Sequence, residues 1–290
     1  MASLQDIRRR IRSVKNTQQV TKAMKMISAV KLRKSQERLL ALRPYANKLL
    51  DVVKGVVSTV GEDEKLPKGP LAQAFLSPRD EQRLRVVVVT GDKGLCGGFN
   101  ANLLKLADAF FRERGHEVVQ LDAVGKRSVD WARKRGLKTG HAYTSISLPG
   151  LSAVATEVAD TTAKQYEQDE IDALYVIYNY FNSPMSQTPR VVKVFPMAIE
   201  VSDAPIGVPP LLEPDPVTVL EALLPLFVQT ELLRCLLEST ASEHGARTSA
   251  MDKASSNAGE MIDKLTLHMN KIRQASITNQ IIEIVSGANA

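Results

Sequence analysis

Two long helical stretches lie at opposite ends of this 290-residue chain, and neither has a helix next to it in sequence with which to pair. The first runs from Ser3 to about Thr59 and the second from about Pro216 to Ala290. In the second, apolar residues recur at the three- and four-residue spacing of a coiled-coil seam, namely Ala258, Ile262, Leu265, Met269 and Ile272. Both stretches bury their apolar faces most simply by pairing with each other, so we predict a long antiparallel coiled coil.

The first stretch has a seam with one irregularity. Its early apolar residues are Leu4, Ile7, Ile11 and Val14, and after the polar Thr17 and Gln18 the pattern resumes at Val20, Met24 and Ile27. This slip predicts a coiled coil of non-uniform pitch. Proline cannot donate an N–H and crowds the preceding turn, so Pro44 is predicted to kink or break this helix and Pro225 to kink the second.

The arginine-rich start "MASLQDIRRRIRSVK" has two interpretations, a transit peptide or a structural helix. Ser3 and Asp6 have the spacing of a capping box, which opens a helix, and the seam begins at once. We therefore interpret this segment as part of the folded protein.

Between the helical stretches, predicted strands alternate with predicted helices. The strands are "LRVVVVT", "EVVQLDAV", "ALYVIYNYF" and "RVVKVFPMAIEV", and the helices are Asn100–Arg114, "KRSVDWARKRG" and Leu151–Gln168. Alternation of this kind predicts a parallel-rich sheet with helices on both faces. The predicted fold is therefore an α/β protein with a central Rossmann-like domain, divided into an N-terminal helix at 1–59, an α/β domain at 60–211 and a C-terminal helix at 212–290.

A glycine-rich loop, "TGDKGLCGGFN", follows the first predicted strand, the place where many nucleotide sites begin. It contains neither the G-K-[ST] of a P-loop nor the spacing G-x-G-x-x-G. Asp122, near the end of the second strand, is a lone carboxylate. We predict a tight turn that permits close packing, and no nucleotide.

The remaining composition excludes little. None of the four histidines has metal-ligand spacing, no catalytic motif occurs, and Cys96 and Cys235 are predicted to be free thiols. The longest apolar run, around "VTVLEALLPLFV", is too short to cross a bilayer. A net charge of +6 is compatible with nucleic acid, an anionic membrane or an acidic protein. A nucleotide-dependent enzyme with helical extensions and a basic nucleic-acid-binding coiled coil therefore remain as alternatives.

Three segments of the sequence resemble segments of a known protein family. "IRRRIRSVKNTQQVTKAMKMISAVKLRKSQERL", "TGDKGLCGGFN" and "SEHGARTSAMDKASSNAGEMIDKLTLHMNKIRQASITNQIIEIVSGA" occur in the order and spacing of the gamma subunits of F-type ATP synthases. The chain resembles that family over its whole length. It lacks the cysteine-bearing insertion of the chloroplast members, which favours the bacterial type and implies no thiol regulation.

This resemblance implies a non-catalytic rotor subunit with no cofactor, metal or nucleic acid. The implied partners are the alpha, beta and epsilon subunits and the c ring of a proton-translocating synthase. Through the c ring the chain would be peripheral to the membrane, at the cytoplasmic face of the bacterial plasma (inner) membrane.

Five residues match positions at which the family contacts the beta subunit: Met24, Arg247, Arg273, Gln274 and Thr278. Met24 is equally well interpreted as a seam residue. Gln280, Asp252 and Gly245 depart from the family pattern, which leaves local charge pairing and helix stiffness open.

Overall fold

The computed structural model describes residues 4–62, 71, 79–196 and 212–288; the predicted capping residue Ser3 and the end of the last predicted strand, within residues 197–211, lie outside the described residues. The helices and strands are α1 Leu4–Glu62, β1 Leu84–Val89, α2 Phe99–Arg114, β2 Val118–Val124, α3 Lys126–Lys134, β3 Thr139–Tyr143, α4 Leu151–Glu167, β4 Ala173–Ser183, β5 Ser186–Phe195 and α5 Pro216–Ala288. They form two compact units, Met1–Val30 with Arg247–Ala290, and Lys31–Ala246. The division between the units falls within α1 and within α5, whereas the predicted domain limits follow helix ends, and those limits stay a prediction.

All four predicted strands are present, but two details of the sheet differ from expectation. β3, "TGHAY", was not predicted, because its short and largely exposed run has no apolar alternation. β5 begins at Ser186, inside the predicted turn, so only Pro184 and Met185 separate the two strands of the hairpin.

The second unit contains a five-stranded sheet with the order β3-β2-β1-β4-β5. β1 pairs in parallel with both β2 and β4, and β3 pairs in parallel with β2. Only β5 is antiparallel, paired with β4 through the hairpin. The expected parallel-rich α/β sheet is confirmed.

Helices cover both faces of this sheet, as the uninterrupted apolar run of β1 requires. Val87 and Val89 face a core shared with α4 and with parts of α1 and α5. Leu84, Val86 and Val88 face the other core, against α2 and α3. The sheet is thus the middle of three layers.

α1 does not break at Pro44, so the predicted break is wrong, whereas a kink at this residue stays a prediction. Pro44 removes the hydrogen bond to the carbonyl of Leu40, four residues earlier. Both residues lie on the exposed side of the helix, and Leu40 is 57% exposed, so water can satisfy the freed carbonyl. Pro225 likewise lies inside the continuous helix α5.

Contrary to the sequence expectation, α5 contains an 18-residue window that is apolar enough to cross a membrane by length and composition. Several apolar residues of α5 are core residues of the second unit: Leu220, Leu224, Phe227 and Leu232. Burial of these side chains accounts for part of this apolar composition, since 39% of the window is buried.

In the first unit α1 pairs with α5 in antiparallel register, which confirms the coiled coil. Gln18 contacts Ser255 and Lys25 contacts Asp252, so the paired number on α5 falls as the number on α1 rises. The predicted slip at Val14 is wrong. Val20 and Ile27 are 58% and 59% exposed, whereas Thr21 and Ser28 are buried. The buried positions continue at the regular spacing, although polar residues fill them.

A fully buried ion pair lies inside the sheet unit. The Arg85 guanidinium on β1 lies 2.6 Å from the Asp122 carboxylate on β2, and both side chains are 0% exposed. Arg85 also donates to Thr162 of α4. Asp122 accepts from the backbone N–H of His141, which ties the edge strand β3 to the sheet. Asp122 is therefore a structural residue.

This pair gives a stability prediction. Arg85→Met should lower the free energy of unfolding by about 3–5 kcal/mol, because it leaves the buried Asp122 carboxylate without the guanidinium that balances its charge. The double variant Arg85→Met/Asp122→Asn should regain much of that loss, since no unpaired charge remains. Urea unfolding of the purified chain, followed by circular dichroism, measures both. A double variant no more stable than Arg85→Met would contradict the argument.

Candidate functional site

The glycine loop between β1 and α2 is braced by its own side chains. The backbone N–H of Gly91 donates to the Asn100 side chain at 2.9 Å. The Asp92 carboxylate accepts from the backbone N–H groups of Lys126, the first residue of α3, and of Ser145. A carboxylate of the chain therefore occupies the position at the α3 N-terminus where a helix would favour a bound anion.

The order of strands reverses between β1 and β4, and doubly wound sheets bind ligands in the crevice beyond this point. Here α5 fills that crevice. A Cβ atom on Gly91 would lie 2.8 Å from the carboxyl carbon of Glu243 on α5. Cys96 and Phe99 of the loop form a small buried cluster with Ala246 of α5. The glycine loop is therefore a packing surface for a helix.

These contacts argue against the alternative of a nucleotide-dependent enzyme. A nucleotide would have to displace α5 from the crevice, and the carboxylate considered for ribose binding, Asp122, is fully buried against Arg85. The geometry supports the interpretation of the glycines as scaffold.

The helix pair of the first unit carries a polar layer in its seam. The Gln18 side chain donates to the backbone carbonyl of Ser255 at 3.1 Å, and the Thr21 and Ser255 hydroxyls are 2.7 Å apart and buried. Lys25 and Asp252 form an exposed ion pair at 2.5 Å. Asp252, one of the departures from the family pattern, thus has a partner of opposite charge.

The opposite side of α1 has a second apolar stripe. Val20, Ile27 and Val30 are each more than half exposed, and Met26 beside them is 65% exposed. The first 40 residues contain eleven Lys and Arg against two Asp and Glu. α1 therefore presents an apolar face with basic surroundings.

The predicted contact residues lie at different depths in the first unit. Met24 is half-buried at the edge of the seam, and Arg247 is only 7% exposed. Arg273, Gln274 and Thr278 are exposed, and Thr278 donates to the Gln274 carbonyl, so these two do share a helix face. With the observed register, Leu4 lies level with about Ile272. Gln274 and Thr278 therefore lie beyond the described start of α1.

The polar seam residues and the exposed stripe were missed from the sequence. Counting alternately four and three residues onward from Val14 gives Gln18, Thr21, Lys25 and Ser28, so the register was present in the spacing. Val20 and Ile27 are predicted in the seam because they are apolar, whereas the regular count gives Thr21 and Ser28.

Comparisons with known proteins agree with this geometry. A family model described as ATP synthase matches residues 3–290. The ATP synthase gamma chain of Solibacter usitatus is 46% identical over 290 residues, covering 100% of this chain and 99% of the relative. That of Geobacter sp. strain M21 is 42% identical over 296 residues, with the same coverage.

Among solved structures, a chain of the Euglena gracilis mitochondrial ATP synthase, OSCP/F1/c-ring, has a TM-score of 0.63 at 17% identity. That match covers 99% of this chain and 94% of the other, and it shows the shared fold. The chain thus belongs to a class of α/β proteins with two features. The C-terminal helix closes the crevice of the sheet domain, and the two terminal helices form an antiparallel pair. The chain belongs to the ATP synthase gamma chain family.

The filled crevice gives a binding prediction. Calorimetric titration of the purified chain with magnesium and ATP should show no saturable heat, because α5 occupies the space that a nucleotide needs. The Lys93→Ala variant serves as the control, since Lys93 is the lysine of the glycine loop. Saturable binding that Lys93→Ala abolishes would contradict the prediction.

Proposed function

We propose that this chain is the non-catalytic central-stalk rotor subunit of a proton-translocating F-type ATP synthase. Its sheet unit is the foot that rests on the c ring and the epsilon subunit. Its helix pair turns inside the hexamer of alpha and beta subunits. Rotation of the c ring is thereby coupled to ATP synthesis or hydrolysis in the beta subunits.

The observation that carries this proposal is the antiparallel pairing of the two chain ends. Gln18, Thr21 and Lys25 all bond across to α5, which fixes the register of the pair. At about 1.5 Å per residue, the roughly 30 residues of α1 in this unit extend for about 45 Å. A pair of helices with a fixed register can pass a twist along its length.

The exposed surface of α1 supports contact with a partner subunit. Burying Val20, Ile27 and Val30 offers about 1.5–3 kcal/mol for each side chain that becomes fully covered. The surrounding basic residues, such as Lys22 and Lys31, favour an acidic partner. The resemblance implies that Met24 contacts an acidic region of the beta subunit. Its position beside this exposed apolar stripe supports that contact.

At the other end, Arg273, Gln274 and Thr278 form an exposed polar group suited to a second grip on beta. Arginine fits this role because its planar fork can hold a carboxylate with two parallel hydrogen bonds. The resemblance also implies a separate contact at Arg247, 26 positions earlier and about 39 Å away along a straight helix, although the Arg247 side chain is only 7% exposed.

The absence of catalytic residues is part of the proposal. The crevice where a doubly wound sheet would bind a ligand is filled by α5, and the loop glycines serve its packing. The proposed location is the cytoplasmic face of the bacterial plasma membrane, where the chain is peripheral through the c ring.

The polar grip is tested by comparing two substitutions in the assembled complex. Arg273→Glu should slow ATP hydrolysis and ATP-driven proton pumping more than Gln274→Ala. The charged hydrogen bond is typically worth about 1.5–3 kcal/mol and the neutral one about 0.5–1.5. The resemblance implies that Arg273 faces an acidic loop of the beta subunit, so Arg273→Glu also adds like-charge repulsion.

Each variant is purified as a complex and assayed for both rates, with Lys264→Glu as a control for a charge reversal elsewhere on the exposed face of α5. If the Arg273→Glu complex assembles and pumps at the unmodified rate, this grip has no part in the mechanism.

Thiol chemistry should not regulate the complex. Cys96 and Cys235 are both buried thiols that form no disulfide among the described residues, and burial raises the pKa of the Cys235 thiol to about 12. A thiol that stays protonated is a poor nucleophile. Dithiothreitol and a mild oxidant should leave the rate of ATP-driven pumping unchanged. A reversible severalfold change that disappears in Cys96→Ser would refute this expectation.

A further inference from the structure

α5 is bonded to the sheet at the crevice. The Ser242 hydroxyl, which is fully buried, donates to the backbone carbonyl of Asn179 on β4 at 3.0 Å. The Asn179 side chain in turn donates to the carbonyl of Phe99 at the start of α2. One hydrogen-bonded chain therefore links α5, the centre of the sheet and the glycine loop.

A second contact is steric and involves backbone. Gly245 of α5 lies against the β4–β5 turn, where an added Cβ atom would meet the Cα and the carbonyl oxygen of Pro184, both at 3.2 Å. Backbone atoms cannot swing aside. The atoms near Gly91, by contrast, belong to the end of the flexible Glu243 side chain. A side chain at Gly245 would therefore have to displace backbone atoms of the β4–β5 turn.

These contacts are spread over almost half of the helix circumference within little more than one turn. Ser242, Glu243, Gly245 and Ala246 touch β4, the glycine loop, the hairpin turn and the Cys96–Phe99 cluster, respectively. At about 100° per residue, their directions cover about 160° of the helix circumference. A helix held on one side can roll, whereas a helix held over so wide an arc resists rotation about its own axis.

We propose that these four residues form a torsional clamp, here called the α5 clamp, which sets the stiffness with which the sheet unit holds α5. α5 continues without a break beyond Ala246, and Arg247 is the first residue assigned to the helix-pair unit. The clamp thus lies at the end of the part of α5 that belongs to the sheet unit, and torque passes from there into the helix pair. Gly245, one of the three departures from the family pattern, permits the close approach of α5 to Pro184. The proposal rests on the rotor function given above.

Two variants loosen the clamp by different means, and each has a matched control. Ser242→Ala removes the hydrogen bond to β4, and its control is Thr240→Val, whose lost hydroxyl bonds only to Leu236 in the same helix. Gly245→Leu forces α5 away from Pro184. Its control is Gly55→Leu in α1, where an added Cβ atom meets nothing within 4 Å.

The measurement is single-molecule rotation of the assembled complex, anchored through its alpha–beta hexamer, with a bead on an exposed foot residue, Lys134→Cys. The native thiols are buried and do not compete for the label. The width of the angular fluctuation during a catalytic dwell gives the torsional stiffness. Ser242→Ala removes the hydrogen bond that holds α5 to β4, so it should widen the angular fluctuation and thereby lower the torsional stiffness. Gly245→Leu should lower it further, and both controls should match the unmodified complex.

Unloaded ATP hydrolysis is measured alongside and should stay unchanged, which separates stiffness from general damage. If Ser242→Ala leaves the fluctuation width unchanged, or lowers hydrolysis alone, the clamp is overturned; this holds even where Gly245→Leu fails to assemble. An unmodified complex that does not rotate at all would instead refute the proposed rotor function.

Discussion

The pairing of α1 with α5 is the interaction on which the rest of this molecule depends. Both helices need a partner, and the partner of each lies at the other end of the chain. The centre of their interface is not the usual layer of large apolar side chains. Thr21 and Ser255 share a buried hydrogen bond, and Gln18 bonds to a backbone carbonyl. Such bonds contribute only about 0.5–1.5 kcal/mol each, but they are directional and so fix the register more sharply than apolar contacts do.

The sheet unit shows how a fold associated with nucleotide binding can serve another purpose. The parallel strands, the strand order and the glycine-rich turn all match that fold, yet the crevice holds α5. Fold and function separate here because the site is what decides the function. The same small residues that would let a phosphate approach the backbone let a helix approach it instead. The same contacts therefore close the crevice and hold α5 against the sheet.

Much of this architecture could be predicted from the sequence, because it rests on periodicity. Continuous runs such as "RVVVV" predict buried strands, and the spacing from Ala258 to Ile272 predicts the paired face of α5. The failures have physical reasons. Val20 and Ile27 are apolar but lie on an exposed face of α1. Hydrophobicity alone therefore places them wrongly in the interface. β3 is held by the backbone bond from His141 to Asp122 and not by its own apolar pattern. The role of Gly245 depends on Pro184, about 60 residues away in sequence, and the contact residues depend on a partner chain.

The exposed stripe on α1 has a consequence for assembly. Judged by apolarity alone, the face with Val20 and Ile27 is a better surface for pairing than the face with Thr21 and Ser28. Turning α1 by about 100°, the rotation between adjacent residues, would bury the wrong face against α5. That arrangement would gain apolar contact but separate Thr21 from Ser255 and Lys25 from Asp252. Apolarity alone would therefore select the other face, and the few polar bonds across the seam favour the observed pairing. Timely coverage of the outer stripe by another subunit would remove the competing arrangement altogether, so correct pairing and incorporation into a complex would reinforce each other.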